Sequence, residues 1–134
     1  MSQENVEVVE RVWAEFVRWG FPDDLFTAEA TWYVAADEPE GGSSAGPIVG
    51  TTEIRRMLAS FWETVEAPWV QADEFLDAGD SVVVRWRGGG TGRSSGIAVE
   101  WEETHVYLVR DGKVAEIREY RGLDEAIEAV GRSD

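Results

Sequence analysis

The second half of the chain constrains the fold most. From residue 69 to 121 the sequence reads as four β-rich segments, at 69–77, 80–87, 97–109 and 113–121. They are punctuated by Gly79-Asp80, by a glycine-rich stretch at 88–96 and by Asp111-Gly112. Asp-Gly between two β-rich runs is a strong hairpin signal, and strands joined by short turns must lie side by side and antiparallel. Helical patterns dominate the part before residue 69, so helices and strands are segregated, which specifies the α+β class. A sheet of this kind buries one face under its helices. The expectation is a curved antiparallel sheet covered by N-terminal helices.

The helical patterns are explicit. Val6, Val9, Trp13 and Phe16 recur at three- and four-residue spacing, with Val12 beside the stripe, and predict an amphipathic helix over 3–19. Ser2 can cap it and Gly20 ends it. Residues 21–26 leave room for about one further turn. Trp32, Tyr33 and Val34 mark a strand over 30–35. Residues 37–50 carry Pro39, Gly41, Gly42, Gly46 and Pro47 and predict a long loop. Thr51 or Thr52 then caps a second long helix whose apolar face is Ile54, Met57, Leu58, Phe61, Trp62 and Val65, with Pro68 as its stop. Residues 124–130 form a short final helix. At 134 residues this is one domain, spanning 1–134, and its seven tryptophans can line an apolar cavity between sheet and helices.

Composition removes several classes of function. The net charge of −15 opposes binding to nucleic acid or to anionic membrane surfaces. No apolar run is long enough to span a bilayer. An acidic, polar N-terminus and the absence of cysteine lead us to expect a cytoplasmic protein. One histidine and no cysteine leave only scattered carboxylates, so no metal centre and no cofactor are expected. The run Gly88-Gly89-Gly90-Thr91-Gly92-Arg93-Ser94 lacks the lysine and spacing of a phosphate loop and reads as a hairpin loop.

Several segments resemble a known family. They are Met1-Ser2-Gln3-Glu4-Asn5-Val6-Glu7-Val8-Val9, Asp37-Glu38-Pro39, and Glu74-Phe75-Leu76-Asp77-Ala78-Gly79-Asp80-Ser81-Val82-Val83-Val84. His105-Val106-Tyr107-Leu108-Val109-Arg110-Asp111-Gly112-Lys113-Val114 and Tyr120-Arg121 follow, with Ala126-Ile127-Glu128-Ala129 at the end. In this order they resemble the SnoaL-like branch of the nuclear transport factor 2-like, or ketosteroid isomerase-like, superfamily. The resemblance implies a cone-shaped domain with a pocket opening between helices and sheet, and commonly a homodimer formed through the sheet. The segment from Gly20 to Trp32 is about three residues shorter than the family pattern, close to one helical turn.

Catalysis in such a pocket needs a carboxylate tuned by an apolar wall. Alternation along the last strand places Ile117, Glu119 and Arg121 on one face, so if Ile117 faces the core Glu119 does too. Polyketide cyclases and limonene epoxide hydrolase resemble this strand and carry an acid at the Glu119 position, making Glu119 the leading general base or acid. Other family patterns fail. The base of ketosteroid isomerase falls on Val34 and its donor acid on Thr104. The helper positions of epoxide hydrolysis fall on Trp32 and Val34, and its second acid is missing. Trp32, Phe16, Phe61, Thr104, Ile117 and Val34 are the expected ligand-lining residues. If Thr104 lines the pocket, then His105 faces outward. Two readings follow: a cofactor-independent isomerase, cyclase or hydrolase acting by proton transfer on a small hydrophobic molecule, or a non-catalytic ligand-binding or accessory dimer domain.

Overall fold

A computed structural model describes residues 2–34 and 47–132. Along the chain lie α1 (Ser2–Phe16), a one-turn 3-10 helix (Asp23–Leu25), β1 (Phe26–Tyr33), β2 (Ile48–Val49) and α2 (Thr51–Trp62). They are followed by β3 (Val65–Ala78), β4 (Ser81–Gly92), β5 (Ala98–Arg110), β6 (Lys113–Tyr120) and α3 (Leu123–Arg132). The Asp37-Glu38-Pro39 motif and most of the expected 37–50 loop lie outside the described residues. The six strands form one sheet in the order β2-β1-β6-β5-β4-β3. β3 to β6 are the antiparallel meander that the turns at Gly79 and Gly112 dictate. The sheet as a whole is mixed rather than antiparallel, because β1 pairs parallel with β6. Turn chemistry fixes the direction of consecutive strands only, whereas these two are separated by most of the chain.

Three boundaries differ from expectation, each for a local reason. Trp19 takes a left-handed φ of 65°, so α1 ends at Phe16, ahead of Gly20. Its last turn closes with the Gly20 N–H donating to the Glu15 carbonyl. α2 stops at Trp62, and Val65 belongs to β3, where it is buried. Pro68 therefore sits inside a strand; β3 is the sheet edge and its register slips between Glu66 and Trp69, a setting that tolerates a residue without an N–H. Gly88, Gly89 and Gly90 continue β4 rather than forming a loop. A Cβ at Gly89 would lie 2.7 Å from the Val99 carbonyl, and one at Gly90 2.4 Å from Val65 Cγ1. Glycine lets three backbones approach here.

Burial occurs on both faces of the sheet. Val6, Val9, Val12 and Trp13 of α1 and Ile54 of α2 pack with Val82, Val84, Trp86, Tyr107 and Ile117. The alternate residues Val83 and Val106 point the other way and pack with Ala126 of α3, flanked by Leu76, Tyr120 and Leu123. The outer face is thus partly covered, whereas the sequence pattern led us to expect burial on one face only.

Candidate functional site

A cavity of about 1190 Å³ lies between α1, α2 and the inner face of the sheet. Trp13 and Phe16 enter it from α1, Phe61 and Trp62 from the end of α2, Trp32 and Val34 from β1 and just beyond it, and Trp86 from β4. β5 contributes Trp101, Glu103 and His105, and β6 contributes Glu119. At the mouth the rings of Trp62, Phe61 and Trp101 meet one another at centroid separations of 4.8–5.7 Å. Trp19 joins them at 5.0 Å from Trp62.

Strand register assembles the polar floor. Ile117 is fully buried, and alternation carries Glu119 onto the same inner face. The parallel pairing of Trp32 with Ile117 brings the indole alongside, and its Nε1–H donates to Glu119 Oε2 at 2.6 Å. That is a charge-assisted bond when the carboxylate is ionised. On the other side, His105 is the cross-strand partner of Glu119. The imidazole is 3% exposed, with Nε2 3.4 Å from Glu103 Oε1 and Nδ1 3.4 Å from the Tyr107 hydroxyl. Trp32, Trp86 and Trp13 surround it at centroid distances of 5.4, 5.2 and 6.4 Å. Burial pushes the Tyr107 phenol well above its ordinary value, and the nearby Glu119 carboxylate adds to the shift. The phenol therefore stays neutral and serves as a hydrogen-bonding partner for the imidazole rather than as an acid.

The structure separates the expected residues. Trp32, Phe16, Phe61, Val34 and Glu119 line one cavity. Thr104 does not: it is fully buried on the opposite side of β5, where it pairs with Tyr120 and Arg85. His105, expected on the outer face, takes the inward place instead. The physical reason is that both faces of β5 are covered in this stretch, by α1 on one side and α3 on the other, so hydrophobic alternation carries no sign. Ile117 sits in the core beneath the cavity rather than in its lining. Nor are the carboxylates merely scattered. One ligand atom each from Glu103, His105 and Glu119 lie within 4.8 Å of one another, a set that can share a proton or accept a cation. The signal was present in the spacing of Glu103 and His105, two apart on a strand and hence on one face; only the β5–β6 register supplies the third member.

The cationic lining residues are engaged at the rim. Arg55 pairs with Asp23 and stacks over the Phe21 ring. Arg93 pairs with Glu66 and donates from Nε to the Glu63 carbonyl at 2.8 Å. On the outer face, Arg87 and Asp73 form a bidentate pair, Nε to Oδ2 at 2.7 Å.

Known structures share this architecture. A crystal structure of TerC co-crystallized with polyporic acid is 19% identical, covers 96% of this chain and 98% of its own, and superposes with a TM-score of 0.71. A candidate SnoaL-like polyketide cyclase from Jannaschia sp. CCS1 is 20% identical over 96% of this chain and 92% of its own, with a TM-score of 0.73. A protein of ketosteroid isomerase-like fold from Catenulispora acidiphila DSM 44928, in complex with trimethylamine, is 17% identical over 81% and 78%, with a TM-score of 0.61. These likenesses show the fold. No curated protein matches the chain. The description of the SnoaL-like domain, by contrast, matches residues 2–117, and the chain belongs to that family.

Proposed function

We propose that the chain binds a small, largely apolar molecule in the cavity and transforms it by proton transfer at Glu119. The observation that carries this reading is a carboxylate at the floor of an aromatic-walled cavity, anchored by the Trp32 indole and facing His105. Low polarity around such a group strengthens its interactions with a developing charge. In the reaction the Glu119 carboxylate accepts a proton from an activated C–H or O–H of the ligand and returns it at a second atom, as in an isomerisation or ring closure. His105 lies where it can exchange that proton, and Tyr107 holds the imidazole in place. Two of the similar structures hold small organic molecules, polyporic acid in one and trimethylamine in the other, which supports a ligand-binding role for this fold.

The test uses a probe ketone. The wild-type protein is incubated with 2-tetralone in D2O, and loss of the α-C–H signal is followed by NMR. We expect catalysed exchange that falls on the order of 100-fold in Glu119→Gln. Equal exchange in both proteins would remove Glu119 from the chemistry. Binding of the ketone without exchange in either favours the second reading, a non-catalytic ligand-binding domain, for which the Trp32–Glu119 bond serves only to order the floor.

A further inference from the structure

What the buried imidazole can do depends on which of its nitrogens carries the proton, and the hydrogen bond at one nitrogen sets the state of the other. Nδ1 of His105 lies 3.4 Å from the Tyr107 hydroxyl, and Nε2 lies 3.4 Å from Glu103 Oε1. The two contacts are equally long but differ in their surroundings. Tyr107 is fully buried and its phenol stays protonated. That proton needs an acceptor, because a buried O–H without one is costly. The Trp13 indole N–H meets no acceptor at close hydrogen-bonding geometry and acts on the phenol oxygen as a weak donor. An indole nitrogen only donates, so it cannot take the phenol proton. Among the described residues, Nδ1 of His105 is the acceptor left for it. Were Nδ1 protonated instead, two N–H groups would converge on one oxygen and strand its O–H. At the other end, Glu103 is only half-buried and lies on the cavity wall. Its separation from Nε2 exceeds the roughly 2.7–2.9 Å of a close charge-assisted bond. A proton on Nε2 therefore finds an acceptor at Glu103 without being committed to it.

We infer that Tyr107 is the donor of this pair and holds His105 as the tautomer with its proton on Nε2, so that the cavity floor offers an N–H to a ligand oxygen beside Glu119. This rests on the reading of the cavity as a site of proton transfer at Glu119, and it adds the class of the substrate: a carbonyl compound with a C–H next to its C=O group. Glu119 and His105 are cross-strand partners with polar atoms within 4.8 Å of one another, so one can address the carbon and the other the oxygen of a single ligand. As the carboxylate takes the proton from carbon, the electron pair of the C–H bond forms a C=C bond and the π pair of the carbonyl moves onto oxygen. Nε2–H donates to that oxygen as its charge grows, among indole rings that keep the surroundings apolar. Return of the proton from Glu119 to carbon reverses the flow, and no further reactant is consumed. Tyr107 stands outside the cavity lining and touches no ligand. It is a positioning residue, acting through His105.

The chain has a single histidine, so a long-range proton–nitrogen correlation spectrum of the isotope-labelled protein contains one imidazole. At neutral pH we expect a protonated, pyrrole-type Nε2 and an unprotonated, pyridine-type Nδ1. The reverse pattern, rapid averaging of the two forms, or protons on both nitrogens would overturn the inference. In Tyr107→Phe the donor is lost while the ring is kept. The nitrogen signals should then move toward the average of the two tautomers, and exchange of 2-tetralone in D2O should slow by about tenfold or more. An unchanged spectrum in that variant would remove Tyr107 from the role. Adding 2-tetralone should shift the Nε2 signal of wild type, whereas tetralin, the same skeleton without the oxygen, should not. Equal effects of the two would overturn the acceptor assignment. Catalysed exchange alongside the reverse tautomer leaves Glu119 as the base and sinks this inference; the expected tautomer without exchange in any variant does the opposite. The wild-type spectrum needs no substitution, so a folding defect in Tyr107→Phe cannot mask the result.

Discussion

Replacing Trp32 by Phe removes a single indole N–H and tests whether Glu119 is anchored as the geometry requires. The lost bond is 2.6 Å long and directed at a carboxylate oxygen. Hydrogen bonds to charged groups contribute about 1.5–3 kcal/mol. Trp32 is 3% exposed, which shelters the donor from water, but Glu119 is only half-buried, so the lower part of that range, about 1.5–2 kcal/mol, is expected. With an unfolding entropy of roughly 0.28 kcal/mol/K for a chain of this length, this corresponds to about 5–7 °C in Tm. Trp32→Phe alone also loses ring bulk from the core. A double-mutant cycle with Glu119→Ala cancels that packing loss and isolates the pairwise energy. Urea unfolding of the four proteins at pH 7 should give a coupling of about 1.5 kcal/mol or more. Additivity within about 0.5 kcal/mol would refute the anchoring, because two side chains joined by such a bond cannot act independently.

Two further outcomes test the fold and its surface. Gly90→Ala should destabilise by roughly 1–3 kcal/mol or more in the same urea assay, because φ is +154° and the new Cβ would sit 2.4 Å from Val65 Cγ1 and 2.8 Å from the Glu66 carbonyl. Gly122→Ala, with nothing within 4 Å, should be tolerated. The hydrogen bond from Arg87, with a further one from Gln71, holds the Asp73 carboxyl below its ordinary 3.8. The unfolded chain therefore takes up this proton before the folded one does, so the stabilisation is complete above the ordinary value and lost as pH falls through the lower folded value. Melting curves of wild type and Asp73→Asn should differ near neutral pH and converge toward pH 2; a gap that persists at pH 2 would remove the titration of Asp73 as its cause.

Much of this molecule could be read from local pattern. The meander from β3 to β6 follows from Asp111-Gly112 and Gly79-Asp80 joining β-rich runs, because a short turn leaves a strand no alternative neighbour. The 3.6-residue stripes of α1 and α2 announced which faces they bury, although Val65 and Pro68 look helical only until β3 is seen to run along the sheet edge. Glu119 was found because alternation is a covalent property of the strand: with Ile117 in the core, the carboxylate must share its face. The sequence could not give the sign of that alternation on β5. Thr104 and His105 are both buried, and a one-residue choice exchanges the pocket residue for the outer one.

Composition and periodicity alone determined that helices would precede a meandering sheet and that an acid near the end of the last strand would be able to face inward. Those are consequences of short-range sterics and turn length. Tertiary structure decided that β1 runs parallel to β6, that α3 covers the outer face, and that His105 rather than Thr104 meets Glu119 and Glu103. These depend on pairings between residues as far apart as Trp32 and Glu119, and no local rule ties such distant positions together. The free energy of packing two covered faces chooses among registers that the sequence, read locally, leaves equivalent.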